Sequence, residues 1–125
     1  MILGIAIATV VSFVFSAVLY GLPPVSKMIA RTSSPRPGIP VVAQLLLVVL
    51  RSLVTAALVA GLMVAAGWHG PAQGALLGLA LVPLPAMLLL GGVIHEGTQV
   101  PVALIHLLDW VAKLVIIGAL VGLFL

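Results

Sequence analysis

Four apolar runs, at about 2–20, 41–66, 72–94 and 101–125, take up nearly the whole chain. An α-helix rises about 1.5 Å per residue, so about 20 apolar residues cross a hydrocarbon core about 30 Å thick. Inside such a core every backbone N–H and C=O has to be bonded within the protein, which makes runs of this length helices. The predicted fold is therefore all-α, four transmembrane helices in an antiparallel bundle. It forms a single integral membrane domain over 1–125, with no residues left for a soluble one. The charge content agrees: 6% of residues are charged and 64% hydrophobic, where a typical soluble domain is about 25% charged.

With no cysteine in the chain, disulfides, thiolate metal sites and thiol redox chemistry are excluded. The formal charge of +3 and a pI near 10.3 do not point to nucleic acid, because five cations form no basic stripe. Lys27, Arg31 and Arg36 share the 21–40 connector, and the other two connectors contain no Lys or Arg. By the positive-inside rule this loop is cytoplasmic, which places both termini outside a cytoplasmic membrane that the chain crosses repeatedly. The first run has no positive n-region and no A-x-A site, and is too long for a secretory signal, so it is read as a retained span.

Polar residues inside the runs carry the remaining information. Thr9, Ser12 and Ser16 form a stripe on the first span that suits contact with other helices, and Tyr20 ends that span as an interfacial anchor. Five prolines and two glycines break the 21–40 connector, leaving VSKMIAR as one short interfacial helical segment. Arg51 sits about 15 Å inside the second span, where an unpaired arginine is costly and must face protein, water or a phosphate. Farther along, Ala57, Gly61 and Ala65 read as a small-residue packing face.

The glycine-rich turn at 67–74 makes spans two and three a hairpin, with Trp68 in the outer aromatic belt and His69 exposed. Gly74 and Gly78 give a GxxxG in span three, and Pro83 with Pro85 predict a packing kink near mid-membrane. Thr98 is the expected N-cap of span four, with Glu96 near the positive end of its dipole. Along that last span His106, Asp109 and Lys113 recur at i, i+3 and i+7, on one face of a helix. Gly118 and Gly122 add a second GxxxG beyond them.

These positions predict an inner-half polar cluster of Arg51, His106, Asp109 and Lys113. Arg51 and Asp109 are expected to touch directly or through one water, with Lys113 reaching back to Asp109. The outer half is expected to be sealed by Gly61, Gly74, Gly78, Gly118 and Gly122, with Gly78 meeting Gly118.

Tyr20-Gly-Leu-Pro23 followed by Lys27-Met28, and the run from Gly78 through Pro85, Glu96-Gly97, His106 and Gly118-Ala119 to Gly122, resemble the small four-span bacterial and fungal membrane proteins of domain of unknown function 1761. That resemblance implies the fold and supplies no activity. Where members carry a tryptophan beside the position of Tyr20 and an aromatic after the first proline, this chain has Leu19 and Pro24.

On function, the residues favour a non-enzymatic accessory, scaffold or lipid-interacting subunit. Its partners would be the bilayer, anionic lipid head groups, and further copies or a larger membrane complex. The alternative is a small homo-oligomeric transporter or channel that uses Asp109 with Arg51 and Lys113. The membrane glutamate that multidrug transporters of this size carry in span one is absent, as is the Asn- and Gly-rich span one of fluoride channels. Catalysis by His106 and Asp109 would need a nucleophile that no Ser, Thr or Cys within one turn supplies, and no metal-binding or paired-carboxylate spacing occurs; no catalytic residue, metal or cofactor is expected.

Overall fold

The computed structural model describes residues 1–125. Six helical segments follow in order: α1 (Ile2–Gly21), α2 (Pro23–Ala30), α3 (Val41–Ala66), α4 (Pro71–Leu81), α5 (Pro83–His95) and α6 (Val100–Leu123). Taken together, α4 and α5 form one proline-interrupted crossing, Pro71–His95, so four helices are long and apolar enough to span a membrane.

The chain runs back and forth between two ends. At one lie Tyr20, the basic connector and the α5–α6 turn; at the other the α3–α4 hairpin meets the end of α6, where Gly70 N–H donates to Gly122 C=O at 3.1 Å. The hairpin end is set by glycine: α3 stops at Gly67 with φ +69°, a left-handed cap that lets Trp68 N–H return to Met63 C=O at 2.9 Å. At the basic end, α2 packs on α1 and α6 with Val25 buried and Lys27 exposed, an amphipathic segment as predicted.

α6 is the central element and packs against all the others, whereas α1 and α4 do not touch. The tightest seam joins α4 to α6. A Cβ built on Gly74 would strike the Gly118 carbonyl, with the carbonyl carbon only 2.6 Å away, and one on Gly118 would strike Gly74 with the same spacing. Gly78 faces Leu114 and Gly122 faces Gly70 in the same manner. Only glycine, with hydrogen in place of the methyl, allows backbones this close, and that hydrogen points at a carbonyl as in a Cα–H···O contact. The glycine seal predicted for this half therefore exists, but its register differs: Gly118 meets Gly74, one turn from the expected Gly78.

Gly61 does not take part. It is exposed with nothing near its Cβ position, and Ala57 and Ala65 are exposed too. α3 instead turns Ala56, Val59, Ala60 and Met63 inward, where they join Ala8, Ile117 and Val121 in the core. The small residues that pack are Ala56 and Ala60, each one position before the expected Ala57 and Gly61. Residues with larger apolar side chains, such as Leu46, Leu58, Leu84 and Leu88, cover the outside, as expected where lipid is the solvent.

The proline interruption has a consequence for shape. Pro83 and Pro85 bring no N–H to the carbonyls of Leu79 and Leu81, and at the break Val82 N–H bonds back to Leu79 instead, at 3.2 Å. α3 packs on α4 but makes no contact with α5. Past the break the third crossing leans away from α3, and α6 is left as the floor between them.

Thr98 does not cap α6. Gln99 is the N-cap residue, no side chain caps the helix, and its first turn is not acidic. Thr98 N–H instead closes the preceding turn on Gly92 C=O at 3.1 Å, with Gly97 at φ +68° making the reversal.

Candidate functional site: a polar cluster and cavity at the basic end

Asp109 is the hub. It is 3% exposed, and so is Lys113. Ser16 Oγ donates to Asp109 Oδ1 at 2.7 Å, Tyr20 Oη approaches Oδ2 at 3.4 Å, and Lys113 Nζ lies 3.5 Å from Oδ2. One carboxylate is thus held by two helices, because the α1 stripe at Ser12 and Ser16 faces the α6 stripe at Asp109 and Lys113. A buried carboxylate with a cation and two hydroxyl neighbours satisfies the rule that buried charge must be paired and hydrogen-bonded.

His106 joins through Tyr20, whose Oη lies 2.7 Å from Nδ1, with the two rings 5.6 Å apart. Tyr20 has one proton to give. Either it donates to Nδ1, or the ring N–H donates to Tyr20 and the phenol passes its own proton toward Asp109, forming a chain from His106 to Asp109. Tyr20 is therefore a member of the cluster and not only the interfacial anchor expected of it.

Arg51 departs from expectation. The only ion pair in the structure is Lys113–Asp109, so the direct Arg51–Asp109 contact does not form. The Arg51 guanidinium lies over the Trp110 ring instead, 5.4 Å from its centroid, and Lys113 Nζ lies 5.6 Å from the same centroid. Two cations share one indole, an arrangement that a ring's negative face supports. Arg51 is exposed and its guanidinium makes no hydrogen bond within the chain; beyond the helix ladder only its carbonyl is engaged, accepting from Thr55 Oγ1 at 2.7 Å. The pairing failed for a geometric reason: equal depth does not fix rotation about the helix axis, and on α3 it is Ser52 that turns inward.

Arg51, Tyr20, His106, Asp109, Trp110 and Lys113 line one cavity of about 250 Å³ between α1, α3 and α6. All four residues predicted for the inner cluster are in that lining. Ser16, Tyr20 and Trp110 were not assigned to it. Trp110 was legible, since it is three residues before Lys113 and so shares its face, and a tryptophan this far along a span is out of place for an interfacial belt. Ser52 Oγ is buried and without a hydrogen-bond partner. No group of three or more His, Asp or Glu side chains is placed to hold a metal ion.

The helices and this cluster define a multi-pass membrane bundle with a charged cavity at one end and a glycine-sealed interior at the other. The chain belongs to the family described as protein of unknown function (DUF1761), whose model matches residues 3–122. No curated protein and no solved structure matches it.

Proposed function

We propose that this protein is a non-enzymatic, lipid-interacting membrane subunit whose cavity holds the anionic head group of a membrane lipid. The observation that carries the reading is Arg51, a guanidinium in a membrane helix, open to the cavity, with no carboxylate in ion-pairing distance. An arginine at that depth costs from about 3 to over 10 kcal/mol when unpartnered. Lys113 and Asp109 neutralise one another, so the site is short of one negative charge, and a phosphodiester supplies it with the two oxygens that a guanidinium binds best.

The transport reading, with Asp109 as the ion site, has less support. The carboxylate is already occupied by Ser16 and Lys113, and the α4–α6 glycine seam leaves no passage there. Catalysis gains little: the two hydroxyls that meet a base are Ser16 on Asp109 and Tyr20 on His106, and the first is buried on a carboxylate already paired with Lys113 while the second is a phenol held between His106 and Asp109. We place the protein in a bacterial cytoplasmic membrane with Lys27, Arg31 and Arg36 on the cytoplasmic side and both ends of the bundle's apolar chain outside. A cysteine at position 33 should resist a membrane-impermeant thiol reagent added outside, and one at position 73 should react; the reverse pattern inverts the orientation.

Lipid retention tests the function. Purified in mild detergent from membranes containing phosphatidylglycerol and phosphatidylethanolamine, the protein should carry phosphatidylglycerol into native mass spectrometry, and Arg51→Gln should lose it. Retention equal in Arg51→Gln and the parent would remove Arg51 as the head-group site.

A further inference from the structure

A second cavity, of about 260 Å³, adjoins the charged one and shares Trp110 with it. Its walls are Leu58 on α3 and Leu84, Pro85 and Leu88 on α5, with Leu114 on the floor. This is the opening produced where the proline break leans α5 away from α3. Apart from Thr55, whose hydroxyl is engaged by Arg51 C=O, the lining is apolar, so water has no partners there.

The two cavities lie in sequence along one seam. On α3 the charged cavity takes Leu45, Val48 and Arg51 and the apolar one takes Thr55, Leu58 and Val59; on α6 Trp110 belongs to both. Moving along α3 from the basic-loop end, charge comes first and the apolar groove after it, about one turn deeper. That is the order of parts in a lipid entering from the leaflet on the basic side.

We propose that a single monoanionic phospholipid occupies both cavities, with its phosphate at Arg51 and one acyl chain laid over Trp110 into the α3–α5 groove. This rests on the head-group reading above and goes beyond it by fixing where the chain lies. Any lipid tail can cover an apolar groove, and inside a bilayer no hydrophobic gain distinguishes one tail from another. The selectivity therefore comes from the head. The phosphate at Arg51 tethers its own chain beside the groove, so that chain fills it at high effective concentration. Trp110 is the link between the parts: its ring carries the two cations and also lines the groove. A groove of about 260 Å³ has room for part of one chain, and the second chain of the lipid remains in the bilayer.

Quenching of Trp110 by chain-brominated lipids tests this, in a Trp68→Phe background so that Trp110 is the sole tryptophan. In vesicles of phosphatidylcholine containing a minor fraction of brominated lipid, brominated phosphatidylglycerol should quench Trp110 several-fold more than the same fraction of brominated phosphatidylcholine. Arg51→Gln should make the two equal. Leu58→Phe or Leu88→Phe, both at lipid-exposed positions, should fill the groove and cut the phosphatidylglycerol quenching toward that of phosphatidylcholine, while the lipid is still retained in mass spectrometry. If phosphatidylglycerol is retained through Arg51 yet quenches no better than phosphatidylcholine, the chain lies elsewhere and this inference fails with the head-group site intact. If Arg51→Gln changes neither retention nor quenching, both fail. Undiminished quenching in both groove variants also sinks the placement of the chain.

Discussion

Replacing Gly118 by alanine puts a methyl carbon 2.6 Å from the Gly74 carbonyl carbon and nearer still to its oxygen. Carbon atoms in contact prefer about 3.5–4.0 Å, so α4 and α6 must separate by about 1 Å, and a gap of that size forfeits a quarter to a half of each contact along the seam. The obstacle is backbone on a neighbouring helix and cannot rotate away. Overpacking of this kind costs about 1–3 kcal/mol, and the four Cα–H···O approaches at Gly74, Gly78, Gly118 and Gly122 weaken together, at about 0.5–1 kcal/mol each when fully formed. Alanine's better helix preference returns about 1 kcal/mol, for a net loss of about 2 kcal/mol. Gly61→Ala is the matched control, because nothing lies within 4 Å of its Cβ position; it should gain up to about 1 kcal/mol. The two variants should therefore differ by about 3 kcal/mol, roughly a hundredfold in the unfolding equilibrium. Reversible unfolding by SDS in mixed micelles, followed by circular dichroism, measures the difference. Stabilities within about 0.5 kcal/mol of each other would refute the close packing of α4 on α6.

Two further variants probe the cluster. Asp109→Leu strands Lys113 as a buried cation and should cost about 3–5 kcal/mol, while Asp109→Leu with Lys113→Leu should recover part of that in the same unfolding assay; a double variant no better than the single would mean that Lys113 reaches water once freed. Ser52→Ala removes a buried hydroxyl that bonds to nothing and should be neutral or stabilising by up to about 1 kcal/mol. A clear loss would show that this hydroxyl has a bound partner.

Length and apolar periodicity made the four crossings legible, and proline marked the interruption in the third one to within a residue. The glycine pairs on the third and fourth crossings were legible as close-approach sites because their spacing matches one helix face, but the pairing register depends on how far the helices slide, which no local residue fixes. Gly61 shows the limit from the other side. A small residue permits close packing without compelling it, and Val59 and Met63 won the inward face of α3 by filling the core. In the cluster, Asp109 and Lys113 were legible as a pair because both lie on one helix four residues apart. Arg51 was not, since its partner had to be chosen across helices, and rotation about the α3 axis left it facing Trp110 and the cavity. Ser16 and Tyr20 carried only the generic signals of a packing hydroxyl and an interfacial ring; their common role at Asp109 needed the fold.

The central claim is that Arg51 meets a lipid phosphate, and magnetisation transfer between the two nuclei reads that contact directly. With Arg31→Lys and Arg36→Lys, Arg51 is the sole arginine, and guanidinium ¹⁵N labelling reports on it alone. In phosphatidylglycerol-containing bilayers its signal should be dephased by ³¹P, as hydrogen-bonding distance requires. An Arg51 signal undiminished by ³¹P, in a protein shown to be folded by the Lys113–Asp109 pair's intact ¹⁵N–¹³C contact, would contradict it.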